Sequence, residues 1–341
     1  MMEPILVKGA PGSPYTRKMV ALLRYQQLPY RFLIGSHEND LGLPRPKVAL
    51  LPTLYLRDER GEIEAVVDST PLIRRLDATW PGPRSVLPPD PVVRFVDELI
   101  EDYADEWLTK AMFHYRWHGS ADIDHAGNIL PRWRAITASE EEIAQLRARF
   151  SRRQIDRLGV VGSNAITAPV IEDSYRRFLG CLNQILSEQP FILGARPGSA
   201  DLATYGQLTQ LAHFDPTPRS LTLAEAPRVF AWVDVMDDLS GLDVQSEGWL
   251  ARNDLARVLT PLLTEIGRTY VPVMMANARA IDQGASQVEA VVSGAPWTQT
   301  PFPYQARCLA ALRVNYARLE PQDRADLEPL LKATGCAPLF G

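Results

Sequence analysis

The chain has 341 residues, 46% of them hydrophobic and 23% charged, with a net charge of −5. That length holds two domains, or one domain with a large partner element. No basic run exceeds a pair such as Arg152-Arg153, which argues against nucleic acid and anionic membrane surfaces as partners.

The cysteines, Cys181, Cys308 and Cys336, are odd in number and far apart. They read as free thiols of a reducing compartment rather than a disulfide framework or a metal cluster. The start, M-M-E-P-I-L-V-K, has no basic region followed by a long apolar core. No stretch approaches the roughly 20 apolar residues of a membrane helix. The cytoplasm is the expected location.

Residues 1–80 mix short strands and helices. Strands are expected at Ile5 to Lys8, Tyr30 to Ile34, Thr53 to Arg57 and Glu62 to Val67, with a turn at Asp58 to Gly61. Helices are expected over Pro14 to Gln26 and Thr70 to Leu76, with Pro71 suited to a first helical position. W-P-G-P-R-S-V-L-P-P-D-P (80–91) cannot extend either kind of element and reads as a linker over 81–91.

Residues 92–341 read as all-helical. Phe95, Leu99, Tyr103, Trp107, Ala111 and Tyr115 recur every four residues and form an apolar stripe on one long helix. Asp97, Glu98, Glu101, Asp102, Asp105 and Glu106 read as its wet face. Ser139 with Glu142 is a capping-box signature for a helix reaching about Leu158. Gly159 to Pro169 is loop-like. Further helices are expected over Ile171 to Ser187, Ala200 to Ala212 and Arg228 to Leu239. Four more follow Glu247, the last two near Pro303 to Leu319 and Pro321 to Thr334.

A-P-G-S-P-Y-T-R (10–17) stands where the first strand turns into the first helix. Pro14 suits the first turn, which places Ser13 at the N-cap. By itself this is a helix cap. L-P-T-L (51–54) opens a strand and V-D-S-T-P (67–71) opens a helix, so three short motifs sit at three junctions of one β-α-β…β-β-α unit. In this the chain resembles the glutathione transferase family. F-I-L-G-A-R-P-G-S-A-D-L-A-T-Y-G (191–206) looks like that family's turn and capped core helix, and A-P-R-V-F-A-W-V (226–233) like the helix after it.

The resemblance implies an α/β thioredoxin-like N-terminal domain over 1–80 and an all-α C-terminal domain over 92–341. It covers roughly residues 4 to 240, leaving an insertion near 119–169 and an extension from about 241. It implies Ser13 as the catalytic donor to the sulfur of glutathione, with Tyr15 and Thr16 as fallback donors. Pro52, as a cis-proline, lets the Leu51 backbone pair with the cysteinyl backbone of the peptide. Asp68 faces the γ-glutamyl ammonium, and Ser69 its carboxylate. The chemistry suits these positions: a free thiol has a pKa of roughly 8.5, and a helix N-terminus with a hydroxyl donor stabilises the thiolate. S-P-Y-T has no cysteine, which argues against thiol–disulfide exchange through this motif.

Leu50 and Ala49 depart from the family's polar and glycine residues before the cis-proline, which makes that wall more apolar. Gly198 stands where the family caps with Ser or Thr, and Ser199 offers a shifted cap. Tyr103, Trp107 and Tyr115 are candidates for a second-substrate pocket, or plain core. His114 and His118 are four apart on a helix, yet no third ligand is identifiable, so no metal is expected.

The expected activity is addition of the glutathione thiolate to a small, hydrophobic electrophile, a detoxification chemistry. Glutathione is then a co-substrate, and the family implies a homodimer. The alternatives are a non-catalytic protein serving assembly, and a glutathione-dependent dehalogenase or ether-cleaving lyase.

Overall fold

A computed structural model describes residues 3–35, 37, 42–244 and 247–341. Its N-terminal unit runs β1 (Ile5–Gly9), α1 (Pro14–Tyr25), β2 (Tyr30–Ile34), β3 (Thr53–Arg57), β4 (Ile63–Val66) and α2 (Ser69–Thr79). The four strands form one mixed sheet in the order β2-β1-β3-β4. β1 pairs parallel with β2 across the α1 connection, and β3 is antiparallel to both β1 and β4. α2 starts at Ser69, so Pro71 occupies its third position, not its first.

The helical part begins with α3 (Pro91–Tyr103), capped by Asp90, whose Oδ1 accepts from Val92 N at 2.9 Å and Val93 N at 3.0 Å. A π-helical segment, Ala104–Leu108, joins it without a break to α4 (Thr109–His118). A four-residue apolar spacing outruns the 3.6-residue turn of an α-helix. The wider π turn takes up the difference, so Phe95, Leu99, Tyr103, Trp107, Ala111 and Tyr115 all remain buried.

Then come α5 (Ser120–Arg132), α6 (Glu140–Ile155), α7 (Ala168–Glu188), α8 (Ser199–Leu208), α9 (Pro216–Glu225) and α10 (Pro227–Asp237). The capping box of α6 forms: Ser139 N donates to Glu142 Oε2 at 2.8 Å and Glu142 N to Ser139 Oγ at 3.3 Å. α5 and α9 lie where the sequence showed no helix. The extension departs furthest from expectation. In place of four helices it holds α11 (Leu255–Asp282), a hairpin of β5 (Val288–Val292) and β6 (Ala295–Gln299), α12 (Pro303–Arg318) and α13 (Pro321–Thr334). The hairpin turns at Ser293 and Gly294, both at positive φ, the conformation a two-residue hairpin turn requires. The helical part is therefore not purely α.

α8 lies close against the first turn of α1. A Cβ at Gly206 would come within 2.6 Å of the Pro14 carbonyl oxygen, so glycine sets that approach. The N-cap of α8 shows why Gly198 replaces Ser or Thr: a Cβ there would sit 2.4 Å from Asp97 Oδ1. Asp97 on α3 caps α8 instead, accepting from Ser199 N at 3.2 Å and Ala200 N at 2.9 Å. The Ser199 hydroxyl also donates to Asp97, so it does not shift the cap.

The acidic face of α3 and its π segment is not wet. Asp97, Glu101, Asp105 and Glu106 are buried, because the N-terminal unit, α8 and the extension all pack on this helix. A buried carboxylate needs a partner. Lys18 Nζ of α1, itself buried, donates to Glu101 Oε1 at 2.7 Å and Asp105 Oδ2 at 2.6 Å. Arg74 of α2 reaches Glu101 Oε2 at 2.5 Å, the Tyr270 hydroxyl donates to Asp102, and Asn315 Nδ2 donates to Glu98 at 2.9 Å. One apolar core runs from Ile5 through these layers to Leu339. Lys18→Met strands two buried carboxylates and is expected to cost about 3–5 kcal/mol, read as a lower urea midpoint. An unchanged midpoint would show that Arg74 alone compensates them.

Candidate functional site

Ser13 is the N-cap of α1, in extended backbone conformation, and its Oγ accepts from Thr16 N at 3.2 Å. The same hydroxyl lies 3.5 Å from the Leu51 carbonyl oxygen, too long for a strong bond and easily redirected. The Leu51-Pro52 peptide bond is cis. The loop that delivers Ser13 is pinned from outside its own unit. Arg116 on α4, buried, donates to Gly12 O at 3.0 Å, and Gln210 Nε2 donates to Pro11 O at 3.2 Å. Arg116 is held in turn by Asp215 at 2.9 Å and by Gln210 Oε1 at 2.7 Å. No local pattern marks Arg116, because its partners lie about a hundred residues away.

At the start of α2, Asp68 has φ 81° and ψ 108°, a sparsely populated backbone region for an aspartate. Such strain persists only where the surroundings impose it, and it clusters at ligand clamps. Asp68 makes no side-chain cap on α2. The N–H groups of Ser69 and Thr70 and the Ser69 hydroxyl have no acceptor or donor partner among the described residues. The N-terminus of an 11-residue helix thus presents unpaired donors suited to an anion, beside a carboxylate whose Oδ1 has no partner among the described residues.

Residues 8–84 match the family model for the glutathione S-transferase N-terminal domain, and residues 140–234 that for the C-terminal domain. The chain belongs to the glutathione S-transferase family. Solved structures with a similar fold include a Tau class glutathione S-transferase from mango, Mangifera indica (19% identity, 68% of this chain and 88% of that one, TM-score 0.40). Another is a glutathione S-transferase from Methylobacterium radiotolerans in complex with glutathione sulfonate (17% identity, 73% and 98%, TM-score 0.42). A third is a glutathione transferase family member from Pseudomonas fluorescens with two glutathione bound (15% identity, 69% and 93%, TM-score 0.42). A search of curated proteins gave no match.

The fallback donors of this glutathione S-transferase fold are otherwise engaged. The Tyr15 hydroxyl donates to Asp105 O at 2.8 Å. Burial, then the Glu106 and Asp105 charges, raise its phenol pKa well above the usual value. Thr16 is buried and its Oγ1 accepts from Ala10 N at 3.4 Å. Both side chains are engaged by groups of the fold itself.

The aromatic candidates separate. Tyr103 and Trp107 are core, not pocket wall: Trp107 packs on Trp297 of the hairpin, with ring centroids 5.2 Å apart, and its Nε1 donates to Ser174 Oγ at 3.2 Å. Tyr115 lines a cleft of about 180 Å³ with His114, His118, Asp122, Glu172 and Arg176. His114 there sits 2.8 Å from Ser163 Oγ and 3.2 Å from Glu172 Oε1. Among the described residues no group of three or more His, Cys, Asp or Glu is arranged to hold a metal. Among the described residues no helix is long and apolar enough to cross a membrane.

The buried carboxyls next to the site carry raised pKa values. Burial, then the Asp105 charge, pushes Glu106 up to about 7. Burial raises Asp105 to about 6 against the pull of Lys18. Glu101 goes the other way: Arg74 and Lys18 overcome its burial and lower it to about 2. A carboxyl raised in the folded state favours folding most at pH below its unfolded value. That contribution is lost as pH rises through about 7. Glu106→Gln is therefore expected to raise the thermal midpoint above pH 7 and to match the parent near pH 4.5. Parallel midpoint curves for the two proteins between pH 4.5 and 8 would overturn this.

Proposed function

We propose that this chain is a glutathione transferase-type enzyme. Ser13 donates a hydrogen bond to the glutathione sulfur and holds it as thiolate at the N-terminus of α1. The thiolate attacks an electrophilic carbon of a small molecule: the S–H proton leaves to solvent, and the S–C bond forms as the carbon's π bond or its bond to a leaving group breaks. The displaced electron pair is then protonated by solvent or departs with the leaving group as an anion. Ser69 and the open turn of α2 take the γ-glutamyl carboxylate, and Asp68 takes the ammonium. The backbone of Leu51, ahead of Pro52, pairs with the cysteinyl residue.

The observation that carries this reading is the Ser13 hydroxyl, at a helix N-terminus and only 3.5 Å from the Leu51 carbonyl. Those are the two groups a bound cysteinyl residue needs, one at its sulfur and one at its N–H. The free state of all three cysteines supports a reducing, cytoplasmic setting. Ile34, Val48 and Leu50, exposed on β2 and in the loop before Pro52, support a homodimer.

The test is an ultraviolet titration of the thiolate of bound glutathione against pH, with Ser13→Ala alongside. The bound thiol is expected to ionise well below the free value of roughly 8.5. In Ser13→Ala it returns toward that value, with kcat/KM reduced roughly 10²–10³-fold. An unchanged bound pKa and turnover in the variant would remove Ser13 from the mechanism.

A further inference from the structure

Asp68 belongs to the family-matched unit, but its side chain is held by a residue far outside it. The Tyr304 hydroxyl, in the first turn of α12, donates to Asp68 Oδ2 at 2.8 Å. This is the one hydrogen bond of the Asp68 side chain among the described residues. Burial, then nearby Cys308 and Asp68, push the Tyr304 phenol far up, so it stays a protonated donor at any working pH.

Tyr304 is anchored by a built polar network. Asn277 of α11 clamps the residue chain entering α12: its Nδ2 donates to Phe302 O at 2.9 Å and its Oδ1 accepts from Phe302 N at 2.8 Å. Gln305, buried, donates to Glu106 O at 3.2 Å. Gln299 of the hairpin links Gln305 (3.4 Å) to the buried Lys110 ammonium (3.0 Å). The first turn of α12 is thereby fixed against the π segment of the long helix.

An aspartate at an N-cap ordinarily folds back onto the N–H of the second or third helical residue. In α2 the third is Pro71, which has no N–H, so the natural target is Thr70 N. That is one of the donors left open for a ligand carboxylate. We propose that Tyr304 is a positioning residue of the γ-glutamyl site. Its hydroxyl holds the Asp68 carboxylate off the N-terminus of α2, which leaves Oδ1 for the peptide ammonium and the Ser69 and Thr70 N–H groups for the peptide carboxylate. This rests on the glutathione reading above, and it makes the C-terminal extension part of the binding site.

Calorimetric titration of the full-length protein with reduced glutathione tests it in four forms: parent, Tyr304→Phe, Asp68→Asn and the double variant. Tyr304→Phe is expected to weaken binding about tenfold, the loss of one charge-assisted positioning bond. In the Asp68→Asn background it is expected to cost nothing further, because both changes remove the same carboxylate placement. Its thermal midpoint is expected to stay close to that of the parent, since a single hydrogen bond of a half-buried carboxylate is lost. Additive losses in the double variant, or unchanged affinity in Tyr304→Phe, would overturn the proposal while leaving the glutathione reading intact. A parent that does not bind glutathione removes that reading, and the proposal with it.

Discussion

The ammonium of Lys18 is the constraint on which the arrangement depends. It sits between Glu101 and Asp105 with no solvent to share the charge. Lys18 lies on the helix whose N-terminus is Ser13, and its carboxylate partners lie on the long helix of the second part. A buried charge pair of this kind adds little net stability, but separating it is costly. Its consequence is placement: α1 cannot slide on α3 without breaking it. Gly206, which lets α8 touch the first turn of α1, fixes the second direction. Arg116 and Gln210 then pin the residues just before Ser13.

The same long helix links the site to the extension. Its π segment carries Asp105 and Glu106 on neighbouring positions. Asp105 faces Lys18, while the carbonyl of Glu106 receives Gln305 from α12. A π turn is a local departure that often accompanies function. Here it allows one helix to meet α1 on one side and α12 on another. The extension is thereby tied into the layer that orients the start of α2.

Much of this was legible from the sequence where the cause is local. Ser13-Pro14, Leu51-Pro52 and Asp68-Ser69 are junction residues whose preferences come from capping and backbone geometry, and the strands and helices around them lie where those preferences put them. The acidic stripe on α3 misled because a polar helix face reads as solvent-facing. Its partners Lys18, Arg74, Ser199 and Tyr270 are scattered through the chain, and their convergence is a property of packing. Gly198 followed the same logic: the absent cap is supplied by Asp97 from another helix. The hairpin at 288–299 did carry a local signal, alternating V-E-A-V-V around a Ser-Gly turn. It was obscured by the helical run on either side. Nothing near Tyr304 in sequence points to Asp68.

On the proposed function, Ser13, Leu51 and the start of α2 together hold one glutathione molecule. The measurement to make is a crystal structure with glutathione bound. The sulfur is expected within about 3.5 Å of Ser13 Oγ, the cysteinyl N–H on the Leu51 carbonyl, and the γ-glutamyl group between Asp68 and Ser69 with Tyr304 unmoved. Glutathione bound elsewhere, or in this cleft with its sulfur turned away from Ser13, would contradict it.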